Sequence, residues 1–164
     1  ILNDLRITEL MYNPLNGNNI LYDNDDYEFV ELRNIGTSTL ELEGVRFING
    51  IDFTFPAYSL AAGDYVVAVK NQAAFQSRYG TGIPIAGVYD SSLSNGGEQI
   101  ILQLPAPFDA AVLRFDYIDT WYPATDGGGY SLVIVDPWAN RSAWDDSDNW
   151  RQSSQVNGSP GTDD

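Results

Sequence analysis

Tyr27-Glu28-Phe29-Val30-Glu31-Leu32-Arg33-Asn34 is the stretch on which the fold turns. It reads as a β-strand with a polar stop, placing Glu28, Val30 and Leu32 on one face. Upstream, Leu5-Arg6-Ile7-Thr8-Glu9-Leu10-Met11-Tyr12 reads as another strand, closed by Asn13-Pro14. Strict alternation puts Thr8, Leu10 and Tyr12 on one side and Ile7, Glu9 and Met11 on the other. Downstream, Leu40-Glu41-Leu42-Glu43-Gly44-Val45-Arg46-Phe47 leads into Asn49-Gly50. Successive short strands with carboxylates inside them are the theme of the chain's opening.

The remainder keeps that pattern. Residues 13–26 are polar and read as a long loop. Asn49-Gly50, set between apolar runs at 45–48 and 51–55, predicts a tight hairpin with both turn residues at positive φ. Tyr65-Val66-Val67-Ala68-Val69 is a continuous apolar run, expected to be a buried strand. Asn71 reads as the N-cap of one short helix over 72–79, stopped by Gly80. Further strands are expected at 83–89, 98–104, 110–117 and 130–135, with a sharp corner at Gly127-Gly128-Gly129. About nine strands and one helix predict an all-β sandwich in a single domain over 1–164. A parallel sheet is not expected, because only one segment could serve as a crossover.

Composition narrows the chemistry. The chain has 164 residues and a net charge of −15, with neither cysteine nor histidine. Thiol nucleophiles, disulfides, Ser-His-Asp triads and the usual zinc and copper sites are excluded. So acidic a surface repels nucleic acid and anionic membranes and attracts cations. No apolar run approaches membrane-spanning length, so no membrane insertion is expected. The chain starts at Ile1 without Met, which reads as a segment excised from a longer protein.

In order and spacing, the residues resemble the lamin-tail domain in its bacterial, exported form. The resemblance is carried by Ile7-Thr8-Glu9, Met11-Tyr12-Asn13-Pro14, Glu28 to Asn34, Leu42-Glu43-Gly44, Phe53-Thr54-Phe55-Pro56 and Leu60-Ala61-Ala62-Gly63. It continues through Phe75, Tyr79-Gly80, Leu93 to Glu98, Phe115-Asp116-Tyr117, Trp121, Gly129-Tyr130-Ser131-Leu132, Asn149-Trp150-Arg151 and Ser159-Pro160-Gly161. The resemblance implies an immunoglobulin-like sandwich and an accessory, non-enzymatic module of a secreted or surface protein. Its expected partners are a protein or a surface glycan, together with other domains of the same parent chain. The nuclear role of the animal domain does not carry over, since this chain lacks the rod and is strongly acidic.

Three groups of side chains are candidates for chemistry. Glu9, Glu28 and Glu31 lie within strands; they are expected to pair with Arg6, Arg33, Arg46 or Arg114, or to accept backbone N–H groups. Paired glutamates could also act on a glycosidic bond, a less favoured hydrolase reading. Asp23, Asp25, Asp26 and Glu28 form the first calcium candidate, and Asp145, Asp146 and Asp148 the second, since calcium takes several oxygens from a flexible loop. No cofactor is expected to be required; a stabilising Ca2+ is the one ion these loops would suit. Trp121, Trp138, Trp144 and Trp150 raise the alternative of a carbohydrate-binding module, although tryptophan more often fills core. Lys70 is read as a surface residue, and the glycine corner lacks the residues of a phosphate loop.

Overall fold

A computed structural model describes residues 1–17 and 20–164. Asn18 and Asn19, within the loop predicted at 13–26, lie outside the described residues. The strands are β1 (Leu5–Met11), β2 (Phe29–Asn34), β3 (Leu40–Glu41), β4 (Arg46–Asn49), β5 (Phe53–Thr54) and β6 (Ser59–Leu60). They continue as β7 (Tyr65–Val69), β8 (Ile85–Val88), β9 (Gly97–Gln103), β10 (Ala111–Ile118), β11 (Leu132–Ile134) and β12 (Trp150–Gln152). One α-helix, α1 (Gln72–Tyr79), follows β7. A six-stranded sheet of order β12-β11-β1-β2-β7-β8 faces a four-stranded sheet of order β10-β9-β4-β5, and β3 pairs with β6. This is an immunoglobulin-like sandwich, with more and shorter strands than the nine expected.

The main core lies between the two large sheets. Leu5, Ile7, Leu10, Val30, Leu32 and Val66 meet Phe47, Ile100, Leu102 and Phe115 there. A second, smaller core holds Met11, Phe29, Val67, Val69 and Phe75 under α1. The unbroken apolar run of β7 follows from this arrangement: Val66 and Ala68 face the main core while Val67 and Val69 face the helix. The rings of Phe75 and Tyr79 each meet Phe29 edge-on, with centroids 5.6 and 5.8 Å away. Such a pair contributes about 1 kcal/mol beyond its burial.

The helix begins and ends as its sequence predicts. Asn71 accepts hydrogen bonds from the backbone N–H groups of Ala73 and Ala74 at 3.0 and 3.2 Å. Gly80, at φ 81°, closes the helix with its N–H on the Gln76 carbonyl at 2.9 Å. The same helix carries the chain from β7 to β8, making that pair parallel inside an otherwise antiparallel sheet.

Two local expectations are corrected. Between Ile7 and Glu9 the β1–β2 register shifts, so Ile7 pairs with Leu32 and Glu9 with Glu31. Thr8 is the extra residue of a bulge. Ile7 therefore shares the main core with Leu10 and Tyr12, not a face with Glu9 and Met11. Asn49-Gly50 is likewise not a two-residue turn. Phe47 pairs with Phe53 across a five-residue connection, and of the predicted turn pair Gly50 alone has positive φ, at 95°.

Candidate functional site

Glu9, Glu28 and Glu31 lie in the interior; the bulge and the pleat place Glu9 on β1 and Glu31 on β2, while Glu28 stands just before β2, where the 3-10 turn ends. Glu9 and Glu31 stand directly opposite one another on β1 and β2, each 1% exposed. They project from the outer face of the six-stranded sheet, beside the helix-covered cluster. Over them runs the C-terminal segment 157–164. Glu9 Oε1 accepts the Ser159 N–H at 3.0 Å and the Ser131 hydroxyl. Glu31 accepts the Gly161 N–H at 2.6 Å through Oε2 and the Thr8 hydroxyl at 2.6 Å through Oε1. Gly158 allows the close approach: at φ 78°, a Cβ there would fall on Glu9 Oε1.

The expected arginine partners are not what these carboxylates use. Among the described residues, the side-chain ion pairs are Arg33–Asp163, Arg46–Asp109 and Arg151–Asp164. The other half of that expectation, backbone N–H donors, is what the structure shows for all three glutamates. Burial pushes Glu9 and Glu31 well above the usual carboxylate range, and for Glu31 the facing Glu9 is the next largest cause. Two unit charges about 5 Å apart repel by about 3 kcal/mol at an effective dielectric of about 20.

Glu28 lies on the opposite, main-core side and is fully buried. Its Oε2 accepts the Leu93 N–H at 2.9 Å and the Tyr89 hydroxyl at 3.1 Å, while Oε1 has no partner among the described residues. Burial raises it to about 8, against the lowering effect of the Leu93 N–H and the Tyr89 hydroxyl. Next to it, Ser94 donates its N–H to Glu98 Oε1 at 2.7 Å. Two carboxylates thus hold successive amides of the β8–β9 loop.

Beside the Glu9–Glu31 pair lies a cavity of about 340 Å³, bordered by Arg33, Tyr65, Trp138, Arg151, Asp163 and Asp164. The Arg33 guanidinium sits against both the Tyr65 and Trp138 rings, 4.7 and 5.0 Å from their centroids. Its Nη1 donates to Asp163 at 2.6 Å. Trp138 is 60% exposed. Trp144 and Trp150 are fully buried, and Trp121 packs against the main core. The four tryptophans therefore form no common sugar-stacking face.

The acidic loops are placed as follows. Asp25 and Asp26 open a turn of 3-10 helix, Asp25–Tyr27. Asp26 accepts the Asp23 N–H at 3.0 Å and the Asn71 side-chain amide at 3.2 Å, while Glu28 turns into the core. Asp145 accepts the Asp116 N–H at 3.1 Å and Asp146 the Asp148 N–H at 3.0 Å. Among the described residues, no three acidic side chains converge so as to hold a metal ion. Lys70 Nζ donates to the carbonyls of Asp90 and Ser91.

The sequence points to backbone N–H donors for the glutamates but identifies neither which amides these are nor the cavity beside Glu9 and Glu31. Ser159-Pro160-Gly161 stood out as a closing signature, but nothing local ties it to residues some 150 positions earlier. Arg33, expected from the sequence to pair with glutamate, instead meets aromatic neighbours from β7 and from the loop after β11.

Comparison with known proteins agrees with the architecture. The family model described as Lamin Tail Domain matches residues 2–117. No curated protein and no solved structure matches the chain. With the match spanning most of its length and an immunoglobulin-like sandwich in place, the chain belongs to the lamin tail domain family.

Proposed function

We propose that this domain is a non-catalytic docking module of an exported bacterial protein, binding protein partners through cationic segments. The observation that carries this reading is the state of its buried glutamates. Glu9, Glu28 and Glu31 are at most 1% exposed and hold amides and hydroxyls of their own chain. The carboxylates best placed for acid–base work thus serve as tethers for loops, which suits a scaffold. The outer surface carries most of the −15 net charge, so long-range attraction favours basic partners. Membership of a family of interaction modules supports the docking role, and the ordered resemblance to the exported bacterial form supports the location.

The test is binding of the immobilised domain to basic peptides, acidic peptides and common polysaccharides at low and high salt. Capture of basic peptides that weakens steeply with salt is the expected result. Salt-insensitive binding to a polysaccharide, with no peptide retained, would replace this reading with the carbohydrate-binding alternative.

A further inference from the structure

The Glu9–Glu31 pair does more than occupy the sheet. It is the seat on which the C-terminal segment rests. Ser159 and Gly161 place their backbone N–H groups on different members of the pair. Farther along, Asp163 is held by Arg33 and by the Tyr65 hydroxyl at 2.5 Å. Asp164 is held by Arg151, by the Ser154 N–H at 2.9 Å and by the Ser159 hydroxyl at 2.9 Å. Behind these contacts the Tyr79 hydroxyl donates to the Asn157 carbonyl at 2.7 Å.

We propose that Glu9 and Glu31 form a proton-dependent clasp, which holds segment 157–164 against the sheet while at least one of them is protonated and lets it go when both are ionised. The geometry supplies the reason. Two buried carboxylates face each other across adjacent strands, and no described cation bonds to either. Water can reach and solvate them only if the segment above lifts. The charged and titratable groups around the pair are Arg33 on β2, Tyr65 on β7, Tyr79 on α1, Arg151 on β12, and Asp163 and Asp164 on the segment itself. Arg33 and Arg151 are bonded to the two aspartates, and Asp164 adds a further negative charge near Glu9. Full ionisation therefore stacks like charges beneath the segment. Lifting it would open the neighbouring cavity and uncover an acidic patch on the sheet.

This goes beyond the docking role and does not depend on it. The test is amide exchange at Ser159 and Gly161 in the whole chain, corrected for intrinsic exchange, in mild acid and in mild alkali. The expected result is a fall in protection of at least about tenfold on going to alkali, corresponding to about 1.4 kcal/mol. Core amides of β2 and β7 should not follow it. Glu31→Gln removes one charge yet keeps the geometry, since its carbonyl can take the Gly161 N–H and its amide can donate to Thr8. That variant should keep the segment protected at both pH values; if it does not fold, Glu9→Gln takes its place. Equal protection of the native segment in acid and alkali overturns the clasp. So does a glutamine variant that loosens in alkali as the native chain does.

Discussion

The indole Nε1 of Trp144 donates to the carbonyl of Ile7 at 2.9 Å, inside the core. Ile7 borders the bulge in β1, and Trp144 comes from the region beyond residue 117, where the family match ends. Trp150 extends the connection, donating to the Trp144 carbonyl at 2.9 Å and stacking on Phe115 with centroids 5.4 Å apart. The first strand and the late tryptophans thus form one packed unit.

Trp144→Phe should cost about 1–3 kcal/mol, because it leaves the buried Ile7 carbonyl without its donor. Trp144→Ala should cost about 3–5 kcal/mol through the cavity it adds. Urea unfolding of the two variants checks both the order and the size of these losses.

The outer edge of β10 is guarded by the segment Arg141–Asp145. Arg141 donates to the carbonyls of Ala111 and Val112 at 3.3 Å, and Asp145 accepts the Asp116 N–H. An eight-residue edge strand without such cover invites pairing with another chain. Arg141→Ala combined with Asp145→Ala should therefore promote self-association, read by sedimentation velocity. The single variants should lose about 1 kcal/mol or less in stability.

Gly158→Ala tests the seat of the C-terminal segment from the other side. A left-handed backbone costs a side-chain-bearing residue about 1–2 kcal/mol. Here the added methyl would also meet Glu9 and would lie 2.8 Å from the Ser131 hydroxyl. The variant should lose more stability than the backbone strain alone accounts for, and Ser159 and Gly161 should lose exchange protection first. Thermal melts and amide exchange measure the two effects separately.

Much of the fold was legible because its signals are local. Asn71 and Gly80 bound the helix through their own caps, and the strands at β1, β2, β7, β9 and β10 declare themselves by pattern. The two- and three-residue strands β3, β6 and β12 are too short to carry a period. The bulge had a signal: Leu5 and Ile7 alternate in one phase, Leu10 and Tyr12 in the other, with Thr8-Glu9 between them. Strict alternation overrode it.

The site was legible in part. That Glu9, Glu28 and Glu31 would sit inward and find internal partners followed from their places in the strands. Which partners they find depends on where distant loops return, and so the amides of Leu93, Ser159 and Gly161 could not be foreseen. Trp144 and Trp150 shared a six-residue spacing with the exposed Trp138, yet they lie in the core, because spacing in an irregular tail says nothing about direction.

The buried glutamates are tethers set in the interior with no bonded cation among the described residues, and this makes the stability of the fold depend on pH. Glu9, Glu28 and Glu31 all lie above their ordinary range in the folded chain. The folded state therefore holds more protons than the unfolded one between the ordinary carboxylate range and about pH 8, the Glu28 value. Their contribution is fully present below the ordinary range and is lost as pH rises through the folded values. Unfolding free energies from urea titrations at about pH 5.5 and about pH 8.5 should differ by a few kcal/mol in favour of the acid side, with a smaller difference in Glu28→Gln. Equal stability at the two values, or greater stability in alkali, would contradict the account.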